Sequence, residues 1–202
     1  MLARATVDLH AANGALALLG EARLTSLDED RPAARAITDA FGNVRDALLR
    51  RHPWNFALRY RDLTLDPSLP AGSFANGFPL PSDCLRVRSV DGLGPDAWTV
   101  EAPVVADPNA TVLAPVLYCD ATAARIAYTA SIVHVALWDS LFLEVFELEL
   151  AARIAGVVGQ SGLADNLRAT AGARLSSARR VDEREAARSR VTSDVSFLRV
   201  RR

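Results

Sequence analysis

Lysine is absent from the sequence, so all 23 of its basic residues are arginine. Together with abundant alanine, this composition is typical of a GC-rich coding bias, and arginine enrichment alone therefore does not indicate a nucleic-acid partner. Cysteine is scarce as well, because Cys84 and Cys119 are the only two and stand too far apart to suggest a metal clamp. We expect two reduced, partly buried thiols.

Long apolar runs are also missing. No run approaches the roughly 20 residues that cross a bilayer, and the N-terminus has no charged region followed by an apolar signal core. We therefore expect no contact with a membrane and a protein that stays in the cytoplasm where it is made. Half of the 202 residues are hydrophobic and 23% are charged, a balance typical of one globular domain with a sizeable insertion.

Motifs for nucleotide or metal chemistry are absent. The stretches GLGPD and GVVGQSG lack the Lys-Ser/Thr of a phosphate loop and the glycine spacing of a dinucleotide-binding turn. The three histidines, His10, His52 and His134, are scattered and have no partner four residues away, which argues against a zinc site. We expect no cofactor, no metal and no active site.

The nearest approach to a catalytic set is acidic. Asp139, Glu144, Glu147 and Glu149 fall within one predicted helix, where Glu144 and Glu147 share a face. Such a pair has the chemistry for acid/base hydrolysis. The simpler interpretation is a solvated acidic face, because helices with several glutamates are routine.

Helical periodicity dominates the first quarter of the chain. Apolar spacing predicts a first helix over residues 6–19, with Thr6 as its cap and Gly20 as the left-handed residue that ends it. A second helix is predicted from an N-cap at Asp30, with Pro32 in its first turn.

The stretch RRHPWNFA, residues 50–57, predicts a structural corner. Pro53 ends the second helix near His52, because the residue before a proline avoids the α conformation. Trp54 and Phe56 then bury large flat side chains where the chain changes direction. His52 would be a ligand or a catalyst only if partners converged on it, and the sequence shows none.

A β-rich insertion is predicted over residues 56–130, where the apolar period changes to that of strands. The phase slips near Asp62, which predicts a bulge there. Residues 67–81 are rich in Pro, Gly, Ser and Asn and predict a long loop. The predicted strands are residues 56–65, 85–90, 98–105, 112–119 and 125–129.

A third helix, predicted over residues 135–158, carries two apolar stripes. A helix that is apolar on two faces is either central in its domain or shared between subunits. The stripe assigned to the core comprises Leu141, Val145 and Leu148, and the stripe assigned to contacts between subunits comprises Phe142, Phe146 and Ile154.

A fourth helix, predicted over residues 161–189, becomes mostly charged in its second half, so we expect that half to project. Residues 191–202 have no helical period and predict an extended docking arm that orders on a partner. Its apolar members are Val195, Phe197, Leu198 and Val200, and its basic members are Arg199, Arg201 and Arg202.

Charge is distributed unevenly along the chain. Residues 168–202 hold ten arginines against four acids, whereas residues 1–167 hold thirteen against twenty. The basic tail makes a helical DNA-binding module one alternative function. However, its arginines alternate with acids in RRVDEREAARSR, a pattern more typical of a salt-bridged exposed helix than of a phosphate-binding patch.

Three segments in order, residues 17–57, 78–91 and 137–156, resemble the head-to-tail adaptor family of tailed phages. They read ALLGEARLTSLDEDRPAARAITDAFGNVRDALLRRHPWNFA, FPLPSDCLRVRSVD and LWDSLFLEVFELELAARIAG. This is the tail tubular protein A or head-tail connector group, which also occurs in prophages and gene transfer agents. The chain departs from it at SIVHVALWDS, where such sequences often have an Asp-Pro turn before the long helix, so the resemblance assigns no role to His134.

The resemblance implies a structural protein, not an enzyme, that is made in the bacterial cytoplasm and incorporated at the head-tail junction of a virion or phage-like particle. Twelve copies would form a ring below the portal protein, with DNA passing through the lumen without specific binding. A downstream tail or stopper protein would attach to the ring. The arm would bind the portal through Phe197 and Leu198 as anchors, with its arginines at the rim. A virion-associated cell-wall hydrolase using Glu144 and Glu147 is the alternative from another class.

The patterns together predict an α+β, mainly α fold. Its parts are a discontinuous helical bundle over residues 1–55 and 131–190, the β-rich insertion over residues 56–130, and the arm over residues 191–202. A ring subunit buries flat apolar surface against identical neighbours on both sides, which the two-faced third helix is suited to supply.

Overall fold

The computed structural model has the mixed, mainly α architecture that the sequence predicts. It describes residues 7–70, 72–102 and 115–196, with side chains as far as residue 187. The chain divides at residues 56/57 and 131/132 into two compact parts, here called the helical unit and the β unit. The helical unit is discontinuous in sequence, and the β unit is the segment inserted into it.

Helices form the first part and the last part of the described chain, and strands form the middle. The α-helices are α1 (Leu9–Leu18), α2 (Pro32–Arg51), α3 (Ser140–Ile154) and α4 (Ala164–Ser196). The strands are β1 (Leu58–Leu63), β2 (Asn76–Pro79), β3 (Cys84–Val90), β4 (Trp98–Glu101), β5 (Val116–Cys119) and β6 (Ala124–Ala130). Short 3-10 turns lie at Asn55–Ala57, Val135–Leu137 and Ser161–Leu163.

Helix α1 begins after a different cap from the one predicted. The carboxylate of Asp8 accepts hydrogen bonds from the N–H groups of His10 at 2.9 Å and Ala11 at 3.0 Å. Two N–H groups that the helix itself leaves free are thereby satisfied, which fixes its start. The predicted cap, Thr6, lies outside the described residues. Gly20 has φ of 70°, which confirms the left-handed residue predicted after this helix.

Helix α2 ends as predicted but begins differently. The predicted N-cap at Asp30 is wrong: the N-cap is Arg31, which is extended and makes no side-chain capping bond. The carboxylate of Asp30 instead pairs with the guanidinium of Arg35. Pro32 is the first helical residue. A proline is tolerated there because the N–H groups of the first turn have no acceptor within the helix. The helix stops before His52, which is extended as a residue before proline should be.

The segment that joins these helices, residues 19–31, is here called the α1–α2 loop. Asn13 of α1 holds it, because its Nδ2 donates to the carbonyl of Leu24 at 3.0 Å and its Oδ1 accepts from the N–H of Leu24 at 2.8 Å. Leu24 is buried. The loop is therefore tied into the core although it has no regular secondary structure.

The β unit contains two three-stranded antiparallel sheets, with strand orders β1-β6-β3 and β2-β5-β4. The bulge predicted near Asp62 is wrong, because β1 pairs with β6 without interruption from Leu58 to Leu63. The apparent phase slip is the end of the strand, since Leu65 lies beyond it. The register shifts occur in β3 instead, between Cys84 and Arg86 and between Val87 and Ser89.

Two other strand predictions need correction. The strand predicted from residue 56 starts two residues later, because Asn55–Ala57 form a 3-10 turn. The predicted long loop over residues 67–81 contains β2, which pairs with β5. Parts of the strands predicted over residues 98–105 and 112–119 lie outside the described residues.

Helix α3 begins later and ends earlier than predicted. Asp139 caps it, with a carboxylate that accepts from the N–H of Leu141 at 2.8 Å. The residues predicted as its first turn, Val135–Leu137, form a separate 3-10 turn. An acidic residue that binds free N–H groups marks the start of a helix more strongly than apolar periodicity does.

Aromatic side chains form the core of the helical unit. Phe142 and Phe146 of α3 are fully buried. They meet the rings of Trp54, Trp138 and Phe41 edge-on, with centroids between 4.7 and 5.1 Å apart. Edge-to-face pairs in this range are favourable beyond the area that they bury.

This core overturns the subunit contact that the sequence predicted. Phe142, Phe146 and Ile154 each expose no more than 1% of their surface within their own subunit. Side chains without exposed surface have none to offer a neighbour, so their assignment to an interface is wrong. Of the residues assigned to the core, Val145 and Leu148 are buried and Leu141 is half-buried.

Helix α4 is 33 residues long. Ala171, Leu175 and Ala178 are buried and recur every three or four residues, forming one stripe along a largely exposed helix. Helix α3 packs against α4 more extensively than against any other helix.

The replacement Trp54→Ala is expected to lower the free energy of unfolding by about 3 to 5 kcal/mol, because this side chain is fully buried among other rings. Denaturant unfolding measures the loss. Trp98→Ala is the control: Trp98 is half-buried in the β unit and should cost less. A Trp54→Ala protein with the melting temperature of the wild type would contradict the buried corner.

Candidate interaction surface

Residues 52–56, which follow α2, form a corner that is hydrogen-bonded to the last turns of that helix. The indole Nε1 of Trp54 donates to the carbonyl of Leu48 at 3.1 Å. The Trp54 ring lies edge-on to the imidazole of His52, with centroids 4.8 Å apart. Phe56 is half-buried beside it, with ring centroids 6.1 Å apart. Pro53 thus separates two side chains that pack against each other across the turn.

Helix α4 is attached to this corner by a buried hydrogen bond. His52 Nε2 and Asp182 Oδ2 lie 2.9 Å apart, and the two side chains are 5% and 12% exposed. A carboxylate accepts hydrogen bonds, so Nε2 is the donor. The backbone N–H of Asn55 donates to the second oxygen of Asp182 at 3.0 Å, and Asn55 Nδ2 donates to the Asp182 carbonyl at 2.8 Å. We call this set of three residues the His52–Asp182 clamp.

A second bond lies one helical turn before the clamp. Arg179 Nη2 donates to the carbonyl of Arg51 at 2.7 Å. Residues three apart on a helix share a face, so Arg179 and Asp182 present two groups to the same corner. The bond also satisfies a carbonyl at the end of α2, where helices leave four carbonyls without partners. The middle of α4 is therefore fixed by polar bonds where its apolar stripe stops.

In the five residues that follow the clamp, the helix carries little apolar surface. Residues 183–187 are exposed apart from the half-buried Ala186. The helix continues to Ser196, about 20 Å beyond Asp182 at 1.5 Å per residue. The predicted extended arm is therefore helical over its first six residues, a correction to the sequence analysis. Of the predicted portal-binding residues, Val195 lies in the last turn of α4, and Phe197, Leu198, Arg199, Val200, Arg201 and Arg202 lie outside the described residues.

The two carboxylates of the hydrolase alternative are both occupied by contacts with other helices. Glu144 forms an ion pair with Arg174 of α4, 3.0 Å from Oε1 to Nε. The carboxylate of Glu147 lies against Gly14 of α1. A Cβ added to Gly14 would come within 2.1 Å of Glu147 Oε1, so only glycine leaves room for this carboxylate in its present position. Burial raises the pKa of Glu147, nearby His10 partly opposes this, and the charge of Glu144 adds to it. Glu144 and Glu147 thus each contact a different neighbouring helix.

The described residues do not assemble a metal centre. Within residues 7–70, 72–102 and 115–196, no group of three or more His, Cys, Asp and Glu side chains is placed to hold a metal ion. His134 is exposed and is the N-cap residue of a 3-10 turn, to which its side chain makes no capping hydrogen bond. No helix in this part of the chain is both long enough and apolar enough to span a membrane.

The partners of His52 are not evident from the sequence. Asp182 was interpreted as one charge of an exposed, salt-bridged helix, whereas it is buried against the corner. A signal for this exists: Ala171, Leu175 and Ala178 set a spacing of three and four residues whose next member is Asp182. A polar residue that continues an apolar stripe indicates a buried polar contact, but its partner is not evident from sequence.

No protein-family model matches this chain, and no curated protein matches it.

Removing the clamp is expected to loosen α4. The change Asp182→Ala leaves a buried imidazole and an N–H group without an acceptor, which costs about 1 to 3 kcal/mol. Hydrogen exchange should accelerate in α4 from about residue 179 onward. The control is Glu183→Ala, a neighbouring exposed position. Unchanged exchange in Asp182→Ala would show that the clamp does not hold the helix.

Glu147→Gln is expected to stabilise the protein at neutral pH. Because the folded-state pKa is raised from the ordinary 4.5, the folded protein favours the protonated side chain, and its stability falls as pH rises through the folded pKa. Glutamine mimics the protonated form, so the gain should be present near neutral pH and vanish below about pH 4. Urea unfolding at both pH values measures it, with the exposed Glu183→Gln as control. An equal gain in the free energy of unfolding at both pH values would contradict the raised pKa of Glu147.

Proposed function

We propose that this chain is a structural head-to-tail adaptor, a subunit of a ring that joins the capsid to the tail of a phage or phage-like particle. The proposal starts from the three ordered segments that resemble this family. A helical unit interrupted by a β unit is compatible with it.

The observation that carries the proposal is the length of α4. Its 33 residues measure about 50 Å, whereas the 15 residues of α3, against which it packs, measure about 22 Å. More than half of α4 therefore extends beyond the length of α3. Its buried stripe ends near Ala178, and the clamp then fixes the helix at Asp182. A helix that is anchored in its middle, exposed at residues 183–185 and 187, and continued to Ser196 supports a role in contacting another protein.

The partners follow from this role. The portal protein binds the segment that continues α4, with the apolar residues of the arm as anchors and its arginines at the rim. Twelve subunits close the ring, a downstream tail or stopper protein binds to it, and DNA passes through the lumen without specific binding. The protein acts at the head-tail junction and has no catalytic activity.

Portal binding tests the arm. The double change Phe197→Ala and Leu198→Ala is expected to weaken binding to the portal oligomer by about tenfold or more, because apolar anchors carry most of the energy of such contacts. Co-sedimentation with a portal oligomer from the same particle measures the affinity. The matched control is Val181→Ala, which removes an apolar side chain that is 39% exposed on α4. A wild-type chain that shows no binding to the portal would overturn the proposal.

A further inference from the structure

An open cleft lies in the helical unit at the C-terminal ends of α2 and α3. Its volume is about 570 Å³. Val44, Ala47 and Leu48 of α2 give it an apolar wall. The polar side chains that line it are Asn43, Arg51, Glu149, Arg153 and Arg168.

The cleft carries more positive than negative charge. Three guanidinium groups line it against the single carboxylate of Glu149, which is bound to Arg51. Arg168 pairs with Asp165, a side chain that is 98% exposed. Arg153 is exposed and has no ion-pair partner within the described ranges. The cleft therefore suits an occupant with a carboxylate beside an apolar group.

The α1–α2 loop has the complementary charge and a fixed shape. Glu29 accepts hydrogen bonds from the N–H of Thr25 at 2.6 Å, the hydroxyl of Thr25 at 2.8 Å and the N–H of Ser26 at 3.2 Å. These bonds hold the pKa of Glu29 at about 2. Arg31 donates to the carbonyls of Ala22 at 3.1 Å and Arg23 at 3.2 Å. A loop ordered by its own side chains loses little further entropy when it binds.

Asp28 is the carboxylate that this loop leaves available. Asp30 pairs with Arg35, Glu29 is bound within the loop, and Glu21 lies 3.8 Å from Arg31. Asp28 is exposed, and its carboxylate has no ion-pair partner among the described residues. Leu27, next to it, is half-buried and supplies an apolar neighbour.

The loop and the cleft lie toward opposite ends of α2. The loop precedes Pro32, and the cleft begins at Asn43 and reaches Arg51, about 16 to 28 Å along the helix axis. Complementary surfaces at two separate places on one chain are what a head-to-tail contact between identical subunits requires. A contact of this kind repeats from copy to copy and closes into a ring when the rotation permits.

We propose that the cleft is the docking site for the α1–α2 loop of a second copy of this chain, with Asp28 placed beside Arg153. This inference rests on the proposed ring and names its subunit contact. It replaces the aromatic residues that the sequence assigned to that role. Because charge contributes to the contact, self-association weakens as ionic strength rises.

Charge reversal with complementation tests the contact in the full-length chain. Arg153→Glu and Asp28→Arg are each expected to weaken self-association by about tenfold or more, because each places like charges together. An equimolar mixture of the two variants should recover association, since each altered surface finds an opposite charge on the other variant. Sedimentation velocity, with and without the portal oligomer, measures assembly. The controls are Arg86→Glu and Asp39→Arg, which change the same charges at exposed positions elsewhere.

The outcomes separate this contact from the adaptor function. Loss in each single variant and recovery in the mixture support the contact. Single variants that assemble on the portal like the wild type overturn the contact and leave the adaptor function standing. An Arg153→Glu variant that self-associates normally but loses portal binding also overturns it, because the cleft then belongs to the portal. A wild-type chain that stays monomeric even with the portal overturns both.

Discussion

The buried hydrogen bond between His52 and Asp182 is the interaction on which the arrangement of the helical unit depends. It joins residues 130 positions apart and fixes the last helix to the end of the second. Pro53 makes it possible, because it ends α2 and leaves the backbone of His52 extended. Asn55 then supplies two further bonds to the same aspartate. Without this set, α4 would be held in the helical unit by its stripe of Ala171, Leu175 and Ala178 and by the bonds of Arg174 and Arg179.

Two tryptophans fix the places where the chain leaves and re-enters the helical unit. Trp54 donates its indole N–H to the carbonyl of Leu48, and Trp138 donates to that of Ile132, in each case six residues earlier. Both rings pack edge-on against Phe142. The aromatic residues of α3 are consequently enclosed by their own subunit. The subunit contact proposed above therefore uses the cleft and the α1–α2 loop instead of these aromatic side chains.

Features set by neighbouring residues in the sequence, such as helix ends, could be predicted. Contacts between residues distant in the sequence could not. The end of α2 followed from Pro53, because a proline restricts its neighbour whatever the surrounding fold. The strand Asn76–Pro79 was not predicted because its residues are mostly poor strand formers. It is a strand because it pairs with β5. Phe142 was placed at an interface because periodicity shows which residues are apolar but not what covers them. Asp182 was missed because its partner, His52, is distant in sequence.

The central claim is that this chain forms a ring on a portal. Electron microscopy of the wild-type protein mixed with its portal oligomer tests that claim most directly. The account predicts a closed ring on one face of the portal, with α4 of each subunit directed toward it. Portal particles that carry no additional ring at saturating concentrations of the chain would contradict the account.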